Sequence, residues 1–298
     1  MLENMISFEG KTIVITGATA GIGHSALHAL ALNGARVIGV GRSARRCKDT
    51  RQAIKNVDPA THVSFVVGDL ASQRQVRRIA ADIREQVLQV GDEKIDVLIN
   101  NAGTVSSWYK ATEDGYELQF AVNHLAPFLL THELLPLLKK APDARVITVS
   151  SGSHYRTRMR WSDVMCRKGY NCLFAYKQSK LANVLFTVEF NRRLADSHSV
   201  RAFAVDPGLV NTDIGLKGTS GLENWVWKRR QRKGTSPEQG ATTVVYLASV
   251  SSLGGVSGPY WKDCQPVPPS RYAARPEEAA RLWSLSERLC GIAPERDI

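Results

Sequence analysis

A tyrosine and a lysine stand four residues apart in the segment Tyr176-Lys-Gln-Ser-Lys180. On a helix, residues at i and i+4 lie on one face, roughly 5–6 Å apart. An ammonium group at that separation stabilises tyrosinate and lowers the pKa of the phenol from about 10 toward neutrality. The pair therefore predicts a phenol that exchanges a proton near physiological pH, although such pairs are also common on protein surfaces.

Two further segments contain residue types that suit a phosphate-bearing ligand. The glycines of Thr16-Gly-Ala-Thr-Ala-Gly-Ile-Gly23 allow a tight turn and close approach of a pyrophosphate to a helix N-terminus. Their spacing, G-x-x-x-G-x-G, differs from the G-x-G-x-x-G dinucleotide fingerprint. The segment Asn100-Asn-Ala-Gly103 follows another apolar run, and by itself it is equally typical of a turn.

In this order, the three motifs resemble the short-chain dehydrogenase/reductase family, and the resemblance extends from about residue 10 to residue 291. The resemblance implies that Tyr176 is the acid/base and that Lys180 binds the cofactor ribose and lowers the tyrosine pKa. It also implies that Asn123 supports this pair and that Ser151 donates a hydrogen bond to the substrate oxygen. Ser150 is the less favoured alternative to Ser151.

The interval of 25 residues between Ser151 and Tyr176 is longer than is usual in the family. A similar insertion occurs in the retinol-dehydrogenase-like branch, which residues 122–131, 179–187 and 281–284 also resemble. Many members of that branch carry an N-terminal hydrophobic anchor, and we expect none here. Retinoid or lipid specificity is therefore not carried over.

The resemblance also implies a nicotinamide cofactor, whose type depends on the end of the second strand. Asp or Glu there binds the ribose 2′-hydroxyl of NAD, whereas Arg accommodates the 2′-phosphate of NADP. Here the segment is Val40-Gly-Arg-Ser43, which predicts NADP(H) with Arg42 as the main phosphate contact, Ser43 as a helper and His24 as a weaker candidate. The complete predicted cofactor set is Gly17, Thr19, Gly21, Ile22, Gly23, Arg42, Ser43, Asp69, Leu70, Asn101, Ala102, Gly103, Tyr176, Lys180, Pro207, Gly208 and Thr212.

The elements that position these residues follow from an alternation of strand and helix patterns. Strands are predicted at 12–16, 36–40, 63–67, 95–99, 145–150 and 200–205, and helices at 22–33, 43–56, 72–90, 113–140 and 174–196. Apolar strands alternating with helices favour a parallel sheet covered on both faces. We expect one α/β domain over residues 1–298, a doubly wound Rossmann-type fold, with substrate-side insertions near 152–172 and 211–235.

The composition argues against a disordered or fibrous protein, and the cysteines and apolar runs argue against a disulfide-rich or membrane-spanning one. The chain is 43% hydrophobic and 22% charged, which is typical of globular proteins. Its five cysteines are dispersed without a C-x-x-C pair, and no signal peptide or run of roughly 20 apolar residues is present. We therefore expect a cytoplasmic protein with reduced thiols and no metal site.

The net charge of +11 arises mainly from residues 42–55, 156–168 and 225–233. The first segment suits a phosphorylated cofactor. The third, with Trp225 and Trp227, is either an interfacial membrane contact, a substrate lid or a solvated basic loop. No aromatic stacking platform accompanies these segments, so nucleic acid is not an expected partner.

Together these residues predict an NADP(H)-dependent oxidoreductase that interconverts a small-molecule carbonyl, either ketone or aldehyde, and an alcohol by hydride transfer. The alternative is a redox sensor that binds NADP(H) without turnover, which would not need the proton-transfer residues. The sequence leaves the substrate, and the choice between a monomer and a homo-oligomer, open.

Overall fold

The computed structural model describes residues 7–195, 199–211, 234–250 and 258–293, and within them an eight-stranded sheet. Its strands are β1 (Thr12–Thr16), β2 (Arg36–Gly41), β3 (His62–Val67), β4 (Val97–Asn100), β5 (Ala144–Val149), β6 (Val200–Asp206), β7 (Tyr260–Lys262) and β8 (Gln265–Pro266). Their order is β3-β2-β1-β4-β5-β6-β7-β8. Strands β1 to β7 pair in parallel, and β8 is antiparallel to β7.

Helices cover both faces of this sheet. They are α1 (Gly21–Leu32), α2 (Ala44–Val57), α3 (Gln73–Gln89), α4 (Leu118–Phe120), α5 (Ala126–Leu138), α6 (Cys172–Arg193), α7 (Pro237–Ser249) and α8 (Pro276–Cys290). In β1, Ile13 and Ile15 belong to the apolar cluster that includes α1 and α7, whereas Val14 belongs to the cluster that includes α3, α5, α6 and α8. This alternation, expected for a strand buried on both sides, confirms the predicted doubly wound α/β fold.

The predicted helix over residues 113–140 is wrong at its start and in its regularity. The helical segment begins at α4, where the Glu117 carboxylate accepts hydrogen bonds from the N–H groups of Gln119 and Phe120. It continues as a π-helical turn, Ala121–Leu125, before α5. Residues before Glu117 cannot extend the helix because Gly115 adopts a left-handed φ of 80°. The apolar spacing did not distinguish a π turn from an α-helix.

The C-terminal helix α8 packs against α5 and α6 through one large side chain. The ring of Trp283 lies 4.9 Å from that of Phe128 and 5.9 Å from that of Phe186, between centroids. The guanidinium of Arg193 lies 4.7 Å from the Trp283 ring centroid, and the indole N–H donates to Glu287. Helix α8 therefore supports the outer side of α6, the helix that contains Tyr176 and Lys180.

Within the described part of the chain, no helix has both the length and the apolar composition that crossing a bilayer requires.

Replacing Trp283 with Ala should lower the free energy of unfolding by about 3–5 kcal/mol, because the truncation leaves a cavity between α5, α6 and α8. Urea denaturation would measure the change. The control is Leu88→Ala on α3, where the side chain is 56% exposed. That substitution should change the free energy by no more than about 0.5 kcal/mol. Equal effects of the two substitutions would contradict this account of the packing.

Candidate active site

The chemistry-bearing residues collect at one edge of the sheet. The glycine-rich turn follows β1, the segment Asn100-Asn-Ala-Gly103 follows β4, and Ser151 follows β5. These three strands are adjacent and parallel, so their carboxyl ends share an edge. In open α/β sheets this edge is where ligands bind.

The turn after β1 is held directly by the segment after β4. The side-chain amide of Asn101 donates to the Thr16 carbonyl at 2.8 Å, and the N–H groups of Asn101 and Ala102 each donate to Thr16 Oγ1 at 3.0 Å. A Cβ at position 23 would collide with the Asn101 amide and the Gly17 carbonyl. Glycine is required at position 23 by this packing, and the two motifs form one unit.

The N-terminus of α1 fits the pyrophosphate of a dinucleotide. Its N-cap residue, Ala20, makes no side-chain capping hydrogen bond, and no acidic residue lies in the first turn. By contrast, Ser43 and Ser72 cap α2 and α3. Helix geometry leaves the first N–H groups of α1 without partners inside the helix, and the helix dipole is positive there. These donors suit an anion beside the turn.

A second arginine joins Arg42 at the end of β2. The Arg46 guanidinium donates to the Thr19 carbonyl at 2.8 Å, and its positive charge is one of the influences that lower the pKa of His24, after burial and the charge of His28. Arg42 itself is exposed on the turn before α2. Sequence reasoning missed Arg46, although a basic residue in the first turn of the helix after β2 was a usable indication.

Lys180 is completely buried beneath the site. Its side chain is 2% exposed, and Nζ donates to the Val149 carbonyl at 2.8 Å. The same nitrogen lies 5.8 Å from the ring centroid of Tyr176, which is half-buried. Burial lowers the pKa of Lys180 to about 8. The lysine therefore carries its charge at neutral pH, within range of the tyrosine ring.

The two adjacent serines face different partners. Ser150 is buried and donates its hydroxyl proton to the Lys180 carbonyl at 2.7 Å, which joins the end of β5 to α6. The Ser151 hydroxyl oxygen accepts from the Ser153 N–H at 3.1 Å at the start of a 3-10 turn, Gly152–His154. Because that oxygen acts as an acceptor, its own O–H is left to donate. The geometry favours Ser151 for contact with a substrate oxygen.

Asn123 lies on the π-helical turn and connects two parts of the site. Its Oδ1 accepts from the Thr104 N–H at 2.7 Å, and Nδ2 donates to the Thr104 carbonyl and to Ser179 Oγ, both at 3.0 Å. Ser179 Oγ in turn donates to the Tyr176 carbonyl at 2.8 Å. Asn123 therefore links the chain after β4 to the turn of α6 that contains the tyrosine.

The comparisons with known proteins agree with this geometry. Residues 11–221 match the family model described as short chain dehydrogenase. Retinol dehydrogenase 13 of Homo sapiens is 38% identical over 95% of this chain and 85% of its own length. The chain belongs to the short-chain dehydrogenase family.

Solved structures share the architecture of this short-chain dehydrogenase. An uncharacterized protein from Mycobacterium paratuberculosis is 36% identical with a TM-score of 0.75, and each chain covers 97% of the other. RhlG of Pseudomonas aeruginosa, solved as an active-site complex with NADP, is 24% identical with a TM-score of 0.65 over 90% of this chain and 98% of that one. At that identity the likeness to RhlG establishes the fold alone.

The remaining predicted cofactor residues of this dehydrogenase lie in turns at the same edge. Asp69 accepts from the Ala71 N–H at 3.0 Å, and Leu70 is partly buried against the core. Gly208, after Pro207, adopts a φ of 75°, and its N–H donates to Asp206 at 3.0 Å. Thr212, most of the 211–235 insertion and the whole of 225–233 lie outside the described residues.

The insertion between Ser151 and Tyr176 packs between α6 and the C-terminal segment. The Trp161 indole donates to Glu278 at 2.7 Å, and the Tyr155 hydroxyl donates to the Pro268 carbonyl at 2.5 Å. On the other side, the Gln178 amide donates to the Val164 carbonyl at 2.8 Å. Hydrogen bonds to residues far away in sequence thus hold the insertion on both sides.

Replacing Lys180 with Met should stabilise the protein at pH 7 by about 1–3 kcal/mol, since a buried ammonium is costly and its hydrogen bond to the Val149 carbonyl offsets only part of that cost. In the wild type the folded state holds its lysine proton less tightly than the unfolded chain, whose pKa is near 10.5. Between pH 8 and 10.5 the unfolded state therefore binds more protons, and the cost of the charge diminishes as pH rises.

Urea denaturation at pH 7 to 10 would follow the difference between Lys180→Met and the wild type, which should shrink above pH 8. The matched control is Lys177→Met, at an exposed lysine one turn away, which should change the free energy of unfolding by no more than about 0.5 kcal/mol. A Lys180→Met variant that is less stable than the wild type at every pH would disprove the account.

Proposed function

We propose that this short-chain dehydrogenase is an NADP(H)-dependent oxidoreductase that interconverts a carbonyl group and an alcohol on a small molecule. The observation that carries the proposal is the buried Lys180 ammonium 5.8 Å from the Tyr176 ring, directly below the end of β5 and Ser151. A positive charge in this position favours the phenolate form and so prepares the tyrosine for proton exchange. We further propose that the protein works in the cytoplasm.

The cofactor, when bound, supplies or accepts the hydride. The glycine-rich turn and the N-terminus of α1, which no side chain of its N-cap residue caps, would hold its pyrophosphate. For carbonyl reduction, Tyr176 gives its phenolic proton to the substrate oxygen as negative charge develops there. Ser151 donates a hydrogen bond to the same oxygen, and Lys180 stabilises the tyrosinate that results.

The preference for NADP(H) is supported by charge at the end of β2. Arg46 donates to the Thr19 carbonyl, Arg42 follows β2 directly, and no carboxylate occupies residues 40–43. A guanidinium binds a 2′-phosphate well, whereas a 2′-hydroxyl calls for an acid. That RhlG, a protein of the same fold, binds NADP is consistent with this choice.

Replacing Tyr176 with Phe should lower kcat at least about 100-fold, because the variant has no proton to give. A panel of all-trans-retinal, nonanal and 4-nitrobenzaldehyde with NADPH and with NADH would first identify a working substrate. Fluorescence titration of NADPH then controls for cofactor binding, which should change little. Near-normal turnover by Tyr176→Phe would refute the assigned role, and a wild type inactive on a broad carbonyl and alcohol panel would count against the enzyme itself.

Replacing Arg42 with Asp should raise the Kd of NADPH about 10-fold or more and leave the Kd of NADH within about twofold, since only NADPH has the 2′-phosphate. The matched control is Arg45→Asp in the first turn of α2, where the side chain is 91% exposed and pairs with Asp49. Equal losses for the two cofactors would overturn the assignment of Arg42.

A further inference from the structure

A histidine three residues after Ser151 is fully buried and uses both of its ring nitrogens. His154 has no exposed surface and ends the 3-10 turn that Ser151 begins. Its Nδ1 lies 2.9 Å from the Ser151 carbonyl oxygen, and its Nε2 lies 3.1 Å from the Ser270 backbone nitrogen. The imidazole thus connects the backbone of Ser151 to a residue that follows β8.

The two partners determine which nitrogen carries the proton. A backbone N–H can only donate, so Nε2 must accept from Ser270, and a carbonyl can only accept, so Nδ1 must donate to Ser151. His154 is therefore a neutral imidazole protonated at Nδ1. Burial lowers the pKa of His154, against smaller opposing effects of the Ser151 carbonyl and Asp206, and so favours the same neutral form.

Two tyrosine rings also pack against the imidazole. The ring centroid lies 4.1 Å from that of Tyr155 and 4.6 Å from that of Tyr260. The Tyr155 hydroxyl donates to the Pro268 carbonyl at 2.5 Å, in the same segment as Ser270. A ring held by two hydrogen bonds and two aromatic neighbours leaves the Ser151 carbonyl little freedom to rotate.

We propose that His154 is a positioning residue for Ser151, acting through the Ser151 carbonyl rather than on the substrate. Fixing the Ser151 carbonyl fixes the backbone there and so the direction of the Cα–Cβ bond, and the hydrogen bond from the Ser153 N–H to Oγ at 3.1 Å then selects the rotamer that directs the hydroxyl. The contact with Ser270 makes the C-terminal segment part of the active-site support. This inference rests on the proposed function, in which Ser151 donates to the substrate oxygen.

Two substitutions separate positioning from packing. His154→Phe retains an aromatic ring in contact with Tyr155 and Tyr260 but removes both hydrogen bonds. His154→Asn loses the ring, yet its amide nitrogen falls near the position of Nδ1 and can donate to the Ser151 carbonyl. His62→Phe makes the same residue exchange at an exposed histidine on the edge strand β3, and serves as the control.

Steady-state reduction of 4-nitrobenzaldehyde by NADPH, or of whichever carbonyl in the panel is turned over, would measure kcat and both KM values per folded molecule. If His154 positions Ser151, His154→Phe lowers kcat about 10–100-fold with KM for NADPH unchanged, because the hydroxyl is misdirected. His154→Asn then recovers kcat to within about threefold of the wild type. Equal kcat values for the two variants, or wild-type kcat in His154→Phe, would overturn the proposal.

A measurement on the wild type covers the case in which the variants do not fold. Nitrogen-15 NMR of the histidine side chains at pH 7, assigned by loss of a signal in His154→Asn or His154→Phe or by contacts to the Tyr155 and Tyr260 rings, reports the tautomer directly. A neutral ring protonated at Nδ1 supports the proposal, and a ring protonated at Nε2 or at both nitrogens rules it out. This readout needs no turnover, so failure of the proposed enzyme activity would be recognised separately.

Discussion

One buried charge governs the arrangement of this site. The Lys180 ammonium is removed from water and donates to the Val149 carbonyl at 2.8 Å, with its pKa lowered to about 8 by burial. A cation in that position requires an acceptor at a fixed place, which the end of β5 supplies. The hydrogen bond from Ser150 to the Lys180 carbonyl holds the same strand and helix together from the other direction. The β5–α6 junction is therefore rigid where Ser151 leaves the strand.

Buried polar side chains extend this rigidity around the site. Asn123, on the π-helical turn, contacts the chain after β4 and, through Ser179, the α6 backbone at Tyr176. Asn101 contacts the glycine-rich turn in a similar way. In each case a side-chain amide bonds to groups of another segment of the chain and so fixes the two segments relative to each other. The glycine-rich turn and the α6 segment around Tyr176 are thus both tied by hydrogen bonds to the chain that follows β4.

The sequence predicted correctly those features for which the spacing of apolar residues and the burial of the element have the same cause. The alternation of strands and helices predicted the sheet because burial on both faces requires apolar strands. It failed at residues 113–117, where the Glu117 carboxylate and the left-handed Gly115 set the start of the helix. It also passed over Arg46, whose placement beside Thr19 depends on how α2 packs against the glycine-rich turn.

The sequence by itself determined the family, the doubly wound fold and the set of residues with chemical capacity, since each depends on residue type and short-range spacing. Only the tertiary structure decided what those residues face. It separated Ser150, whose proton goes to α6, from Ser151, and it gave His154 a defined tautomer through a contact with Ser270, 116 positions away. Hydrogen-bond partners so distant in the chain are set by how whole elements pack against one another, which the local periodicity of the sequence does not specify.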